Sequence, residues 1–129
     1  MPCTTEIDHP RKFIRNTYSG IITREDLGNV WSHLLNLKEF TELKYNLLSD
    51  YQKSQFNIHN SEEGTMLEFL ISIKPILNGK KEAAIVSNPK DTALSLLLQM
   101  ETFGKVGYIV QIFSTEDAAL QWLCDPLSR

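Results

Sequence analysis

The stretch Glu82-Ala83-Ala84-Ile85-Val86-Ser87-Asn88-Pro89-Lys90-Asp91, continued through Phe103-Gly104 to Tyr108-Ile109-Val110-Gln111-Ile112-Phe113, decides the fold. Ala83 to Val86 is a short unbroken apolar run, the pattern of a strand buried on both faces. Ser87-Asn88-Pro89 is a turn signal. Asp91 to Phe103 has helical spacing, and Gly104 and Gly107 stop it. Tyr108 to Phe113 reads as a second strand. Strand, helix and strand with short breaks make a βαβ unit. Its crossover is expected to be right-handed.

The rest of the chain arranges itself around this unit. Strands are expected at about 5–9 and 12–18, turned at His9-Pro10-Arg11 into a hairpin and ended at Ser19-Gly20. Thr23 opens a helix: its hydroxyl can accept the Asp26 N–H, and Glu25 and Asp26 suit the positive helix end. Leu27, Val30, Trp31, Leu34 and Leu35 form one apolar stripe running to about Leu37. Lys44 to Leu48 is expected as a strand closing at Ser49-Asp50, and the polar Tyr51 to Asn60 as a loop. Met66, Phe69, Leu70 and Ile73 keep helical spacing from a start at Ser61-Glu62-Glu63. Residues 65–73 also alternate, which leaves a strand open there. Pro75 should kink or end that helix, and Asn78-Gly79 should stop it. The last helix, capped by Ser114, carries Ala118, Ala119, Trp122 and Leu123, with Trp122 and Leu123 expected to pack inward on Val86 and Ile109. Hairpin first, then alternating α and β, is an α/β fold: a mostly parallel mixed sheet with helices packed on it.

A chain of 129 residues with 42% hydrophobic and 22% charged residues suits one domain, 1–129, that folds on its own core. A net charge of −3 argues against a nucleic-acid partner, which calls for a basic face. Lys80-Lys81, beside Gly79, reads as a solvated loop. The N-terminus lacks the basic and apolar regions of a signal peptide, and no apolar run approaches the ~20 residues of a transmembrane helix. Cys3 and Cys124 are two scattered cysteines, as in a reducing compartment. The expected location is cytoplasmic.

Several positions carry a family resemblance. Gly20-Ile21-Ile22-Thr23 leads into the first helix, and Leu37-Lys38-Glu39-Phe40 closes it. Leu48-Ser49-Asp50 ends a strand. Lys81-Glu82-Ala83-Ala84-Ile85-Val86 follows, then Val110-Gln111-Ile112-Phe113, Ala118-Ala119 and Trp122-Leu123. Across nearly the whole chain these resemble the SpoIIAA-like or STAS-like domains, small bacterial proteins among them. The resemblance implies a βα superhelix used as a regulatory or binding module, similar in fold to the CRAL-TRIO lipid-binding domains. Some relatives are anti-sigma-factor antagonists, switched by phosphorylation of a serine in an Asp-Ser pair. Here the order is reversed, Ser49-Asp50, so the switch motif is not kept.

No catalytic, metal or cofactor motif stands out. His9, His33 and His59 share no ligand spacing, the glycines form no phosphate loop, and no nucleophile elbow is present. Ligands in open βα sheets sit beyond the carboxyl ends of strands. That edge is expected to gather Ser49, Asp50, Tyr51, Ser87, Asn88, Ser114 and Thr115 as a ligand or partner rim, although the same residues serve equally as caps and turns. The helix 91–103 is apolar over roughly 220° at 100° per residue, more than one sheet contact needs. A neighbouring helix, a homodimer contact through Leu96 and Phe103, or a small apolar ligand would use the surplus. The reading is a non-enzymatic regulatory or protein-interaction module, with a carrier of a small apolar or lipid-like ligand as the alternative.

Overall fold

The computed structural model describes residues 3–57, 63–87 and 104–124. Alternation near the N-terminus builds the expected hairpin. β1 (Cys3–Asp8) pairs antiparallel with β2 (Phe13–Thr23), from Cys3 opposite Tyr18 to Asp8 opposite Phe13. Asp8 holds the turn, accepting from the backbone N–H of Arg11 and from its Nε, each at 2.9 Å. β2 does not stop at Ser19-Gly20. Gly20 takes a left-handed φ of 76° and the chain stays paired to Thr23, a conformation that glycine reaches without a Cβ clash.

α1 (Arg24–Leu35) starts where the capping pattern places it. The Thr23 hydroxyl accepts the Asp26 N–H at 3.2 Å, and the Asp26 carboxylate accepts the Thr23 N–H at 2.9 Å. This reciprocal capping box satisfies two otherwise free N–H groups. A short helix, α2 (Lys38–Thr41), follows and buries Phe40.

β3 (Asn46–Asn57) is much longer than the strand expected over Lys44 to Leu48, and it includes most of the expected loop. Its first part pairs with both neighbours. Beyond Asp50 it pairs, among the described residues, with β2 alone, Ser19 to Thr23 lying opposite Lys53 to Asn57 after a bulge. Backbone pairing of this kind needs no apolar alternation, so the polar sequence hid a strand.

α3 (Glu63–Ser72) resolves the open choice over 65–73 as helix. α4 (Lys74–Leu77) begins anew with Pro75 in its first turn, where the missing N–H leaves no bond unmade. Gly79, at φ 86°, then turns the chain into β4 (Lys81–Ile85). Its N–H donates to the Gly107 carbonyl at 2.9 Å. Gly107, at φ 76°, holds a left-handed conformation that favours glycine, and a Cβ there would stand 2.1 Å from Asn78 Oδ1 and push that side chain aside. β5 (Ile109–Phe113) and α5 (Glu116–Cys124) complete the described chain. The expected helix 91–103, with Leu96 and Phe103, lies outside the described residues.

The sheet runs in the order β1-β2-β3-β4-β5. The β1–β2 pair is antiparallel and the rest are parallel, the mixed sheet the sequence predicts. The face made by Ile14, Leu47 and Val110 is covered by Trp31 and Leu34 of α1, Phe40 of α2, Leu70 of α3 and Leu77 of α4. The opposite face, Phe13, Leu48, Ala83 and Ile85, is covered by Ala119 and Leu123 of α5.

Trp122 is not the inward anchor of α5. Ala119 and Leu123, four residues apart, share the sheet-facing stripe, while Trp122 is half-buried beside it. Its ring tilts against Phe113 at 5.7 Å and lies under the Lys81 ammonium at 4.7 Å. Val86, its expected partner, belongs to a cluster with Tyr18, Leu27 and Tyr51 instead. Leu123→Ala should therefore cost about 2–5 kcal/mol in chemical denaturation. Trp122→Ala should cost less, on the order of 0.5–1.5 kcal/mol for a lost aromatic pair. The reverse ranking would place Trp122 in the core after all.

Candidate functional site

The structure brings the expected rim together only in part: Asp50, Ile85 and Phe113 share one row of the sheet, which sets Tyr51, Ser87 and Ser114 near one another. Ser49, Asp50 and Tyr51 sit inside β3 rather than beyond its end, and Ser49 and Tyr51 are buried. Asp50 faces the other way and accepts the Gln52 N–H at 3.0 Å. Ser87 is exposed, with its hydroxyl on the Gln52 carbonyl at 3.0 Å. Ser114 and Thr115 are exposed beyond β5, and Thr115, not Ser114, accepts the Ala118 N–H at 3.3 Å to cap α5. Asn88 lies outside the described residues. Ligand crevices open where the order of strands reverses, and this sheet advances from β1 to β5 without reversal.

Polar chemistry collects instead in mid-sheet, on the face beneath α1. Parallel register sets Ile14, Leu47, Glu82 and Val110 side by side, and Asn16, Ser49, Ala84 and Ile112 in the next row. Tyr18 and Tyr51 stack above these at 4.5 Å and 18°. Asn16, Ser49 and Glu82 are 1%, 2% and 6% exposed. The Tyr108 hydroxyl donates to Glu82 Oε1 at 2.7 Å, and the Ser49 hydroxyl reaches both Glu82 and Tyr51. Leu27, Val30, Trp31 and Leu34 of α1 close the space from above, leaving a cavity of about 20 Å3.

Burial sets the protonation of this cluster. Desolvation pushes the Glu82 carboxyl up, against the opposing pull of hydrogen bonds from Tyr108 and Ser49. The same desolvation, with Glu82 nearby, pushes Tyr51 and Tyr108 up, so the phenols stay protonated. Burial thus favours the neutral carboxyl, while the two hydroxyl donors favour the charged one, and burial is the larger effect.

Lys80 is a second buried polar group, 2% exposed rather than the solvated loop residue its doublet suggests. Its ammonium donates to the Phe40 carbonyl and lies 3.5 Å from the centre of the Phe40 ring. Burial first, then Lys44, lowers it to about 8. Cys3 and Cys124 are both free thiols. Among the described residues no three metal-binding side chains converge, and no helix is long and apolar enough to cross a membrane.

Glu82, Asn16, Tyr18 and Tyr108 were not singled out from sequence as site residues. A usable signal existed for Glu82. In a run buried on both faces, a period of two puts it on the same side as Ala84 and Val86, so its carboxyl had to be buried. The pH dependence follows. Between the unfolded value near 4.5 and the higher folded value, the native state holds a proton that the unfolded chain has released. This stability is fully present below about pH 4.5 and is lost as pH rises through the folded value. Relative to Glu82→Gln, wild type should lose up to about 1.4 kcal/mol per pH unit across that window. Parallel stability curves for the two proteins would show that Glu82 titrates as an ordinary carboxylate.

No family model matches the sequence, and no curated protein matches it. Among solved structures the chain is similar to an uncharacterized protein of the DUF3478 family, with a SpoIIAA-like fold, from Shewanella loihica PV-4. The two share 14% identity and a TM-score of 0.60, over 95% of this chain and 92% of that one. A likeness at that identity speaks to architecture alone. The hairpin followed by parallel strands, with helices on the sheet, is a SpoIIAA-like fold.

Proposed function

We propose that this chain is a non-catalytic regulatory module of the bacterial cytoplasm that works by binding another protein, a second copy of itself included. One observation carries the reading: the groups that could do chemistry face inward, while the outward-facing feature is a docking ribbon. Glu82, Tyr108, Ser49 and Tyr51 engage one another under α1. The β2–β3 ribbon projects past the β4 pairing, which ends at Asp50 opposite Ile85. On it Ile21 is 64% exposed, with Ser19, Gly20, Lys53 and Gln55 exposed around it. Among the described residues, β3 has no second strand beside residues 53–57. An open strand edge supplies backbone hydrogen bonds to an extended partner segment, and an apolar side chain anchors it.

The second reading is a carrier of a small apolar or lipid-like ligand. It draws on the apolar wall that Leu27, Val30 and Leu34 turn toward the cavity. Ligand pockets usually measure about 300–1,000 Å3, so a lipid would have to displace α1. Native mass spectrometry with a fatty-acid panel tests it: a bound mass favours the carrier.

Recovery of partners on the purified chain from native lysate tests the first reading. Ile21→Asp should abolish partner recovery, or self-association in light scattering, with stability changed by no more than about 0.5 kcal/mol, as for exposed positions generally. Undiminished recovery by this variant would remove the ribbon from the interface. Reproducible absence of any partner, with a small molecule bound instead, would remove the reading itself.

A further inference from the structure

The polar lining of the cavity under α1 is incompletely satisfied. Asn16 Oδ1 accepts from the Thr5 hydroxyl at 2.8 Å, and Glu82 Oε1 accepts from Tyr108 at 2.7 Å. Asn16 Nδ2 is buried with no hydrogen-bond partner, in a residue only 1% exposed that lines the cavity. Exchanging the two amide atoms changes nothing in this count. The Thr5 hydroxyl can donate or accept, so one amide atom still faces inward alone. A buried amide left this way loses about what a lost hydrogen bond is worth, and buried waters commonly fill that role.

The dimensions agree. About 20 Å3 is enough for one water and too little for a larger molecule. Register places Asn16 directly beside Ser49, and Glu82 one row away on the far side of β3. The amide, the hydroxyl and the carboxyl thus come from three successive strands and line one space. We infer that this cavity is a built hydration site: one water, accepting from Asn16 and donating to Ser49 or Glu82, joins β2 to β4 across β3 beneath α1. An uncharged occupant suits the lining. An anion would meet the carboxyl, and a cation would meet the amide N–H and a carboxyl that burial holds toward its neutral form. Leu27, Trp31 and Leu34 of α1 line the space over the water, so the helix slows its exchange.

A crystal structure of the full chain, resolved well enough to show ordered waters, should contain one peak within about 3 Å of Asn16 Nδ2. In solution, oxygen-17 relaxation dispersion should report a long-lived water in wild type that disappears in Asn16→Leu. Should that variant fail to fold, Ser49→Ala keeps the amide and should shorten the water's residence at least tenfold. An empty cavity, a peak with the short contacts of a metal cation, or a dispersion amplitude unchanged in the variants would overturn the inference.

Discussion

The hydrogen bond from Tyr108 to Glu82 is the constraint around which the covered face is arranged. Glu82 sits in β4, with a strand on each side and a helical layer above. An isolated carboxylate in such a place would cost several kcal/mol. Two responses are visible. The carboxyl is pushed toward its neutral form, and its neighbours are hydroxyls rather than plain hydrocarbon. Tyrosines stand at 18, 51 and 108 where phenylalanine would fill the same space. Each hydroxyl adds a hydrogen bond but must itself be satisfied. The polar row therefore grows from Glu82 through Ser49 to the stacked Tyr51 and Tyr18. Trp31 meets it from above, edge-on to Tyr108 at 6.2 Å.

The two faces of the sheet do different work. Under α5 the contact is Phe13, Leu48, Ala83 and Ile85 against Ala119 and Leu123, apolar throughout, with Phe113 and Trp122 packed beside it. Its polar links lie at the periphery: Arg15 pairs with Glu116, and Lys81 donates to the Trp122 carbonyl at 3.0 Å. Dispersion and apolar burial suffice there, and such a contact tolerates volume-conserving changes. Under α1 the sheet carries hydrogen bonds whose partners are fixed in direction. Satisfied polar groups in a low-dielectric core specify one arrangement more sharply than apolar ones do. The face beneath α1 is thus the one whose side-chain hydrogen bonds tie neighbouring strands to one another.

What the sequence disclosed follows the same division. α1 was legible from Thr23 and Asp26 because capping is local chemistry, and the apolar stripe Leu27, Trp31, Leu34 faces the sheet as its spacing implies. The parallel strands β4 and β5 were legible from the unbroken apolar run Ala83 to Val86 and the largely apolar Tyr108 to Phe113. β3 was cut short because apolar content, not pairing, was the cue. Among the described residues its outer half pairs with β2, through backbone bonds that need no apolar side chains. Lys80 was misplaced for the complementary reason. A lysine doublet looks solvated, but here one ammonium has a carbonyl and a ring face to satisfy it inside. Burial of charge depends on a tertiary partner, Phe40, forty residues away, and no local pattern encodes that. The cavity was equally out of reach, since it exists only where α1 bridges two rows of the sheet.

The rim is drawn together only in part, for a reason that reaches beyond these residues. Expecting function at the carboxyl ends of strands assumes a crevice there. A crevice needs two adjacent strands whose following connections leave toward opposite faces, as happens where strand order reverses. In this sheet the connections after β2 and β3 lay α1 to α4 on the same face, and each strand lies beside the previous one. Adjacent connections then shoulder each other instead of parting. The space that a reversal would open at the edge is found instead as a small void inside the layer, between α1 and mid-sheet. That shifts the polar residues from strand ends to strand middles: Ser49 and Tyr51 point up into the layer, while Asp50 between them points away. A reversed Ser-Asp order fits this placement. The serine takes the inward position of the period-two alternation, 2% exposed, where a modifying enzyme cannot reach it while α1 is in place. The ribbon that β2 and β3 extend beyond the sheet is the stretch where the described strands run on without a third strand beside them.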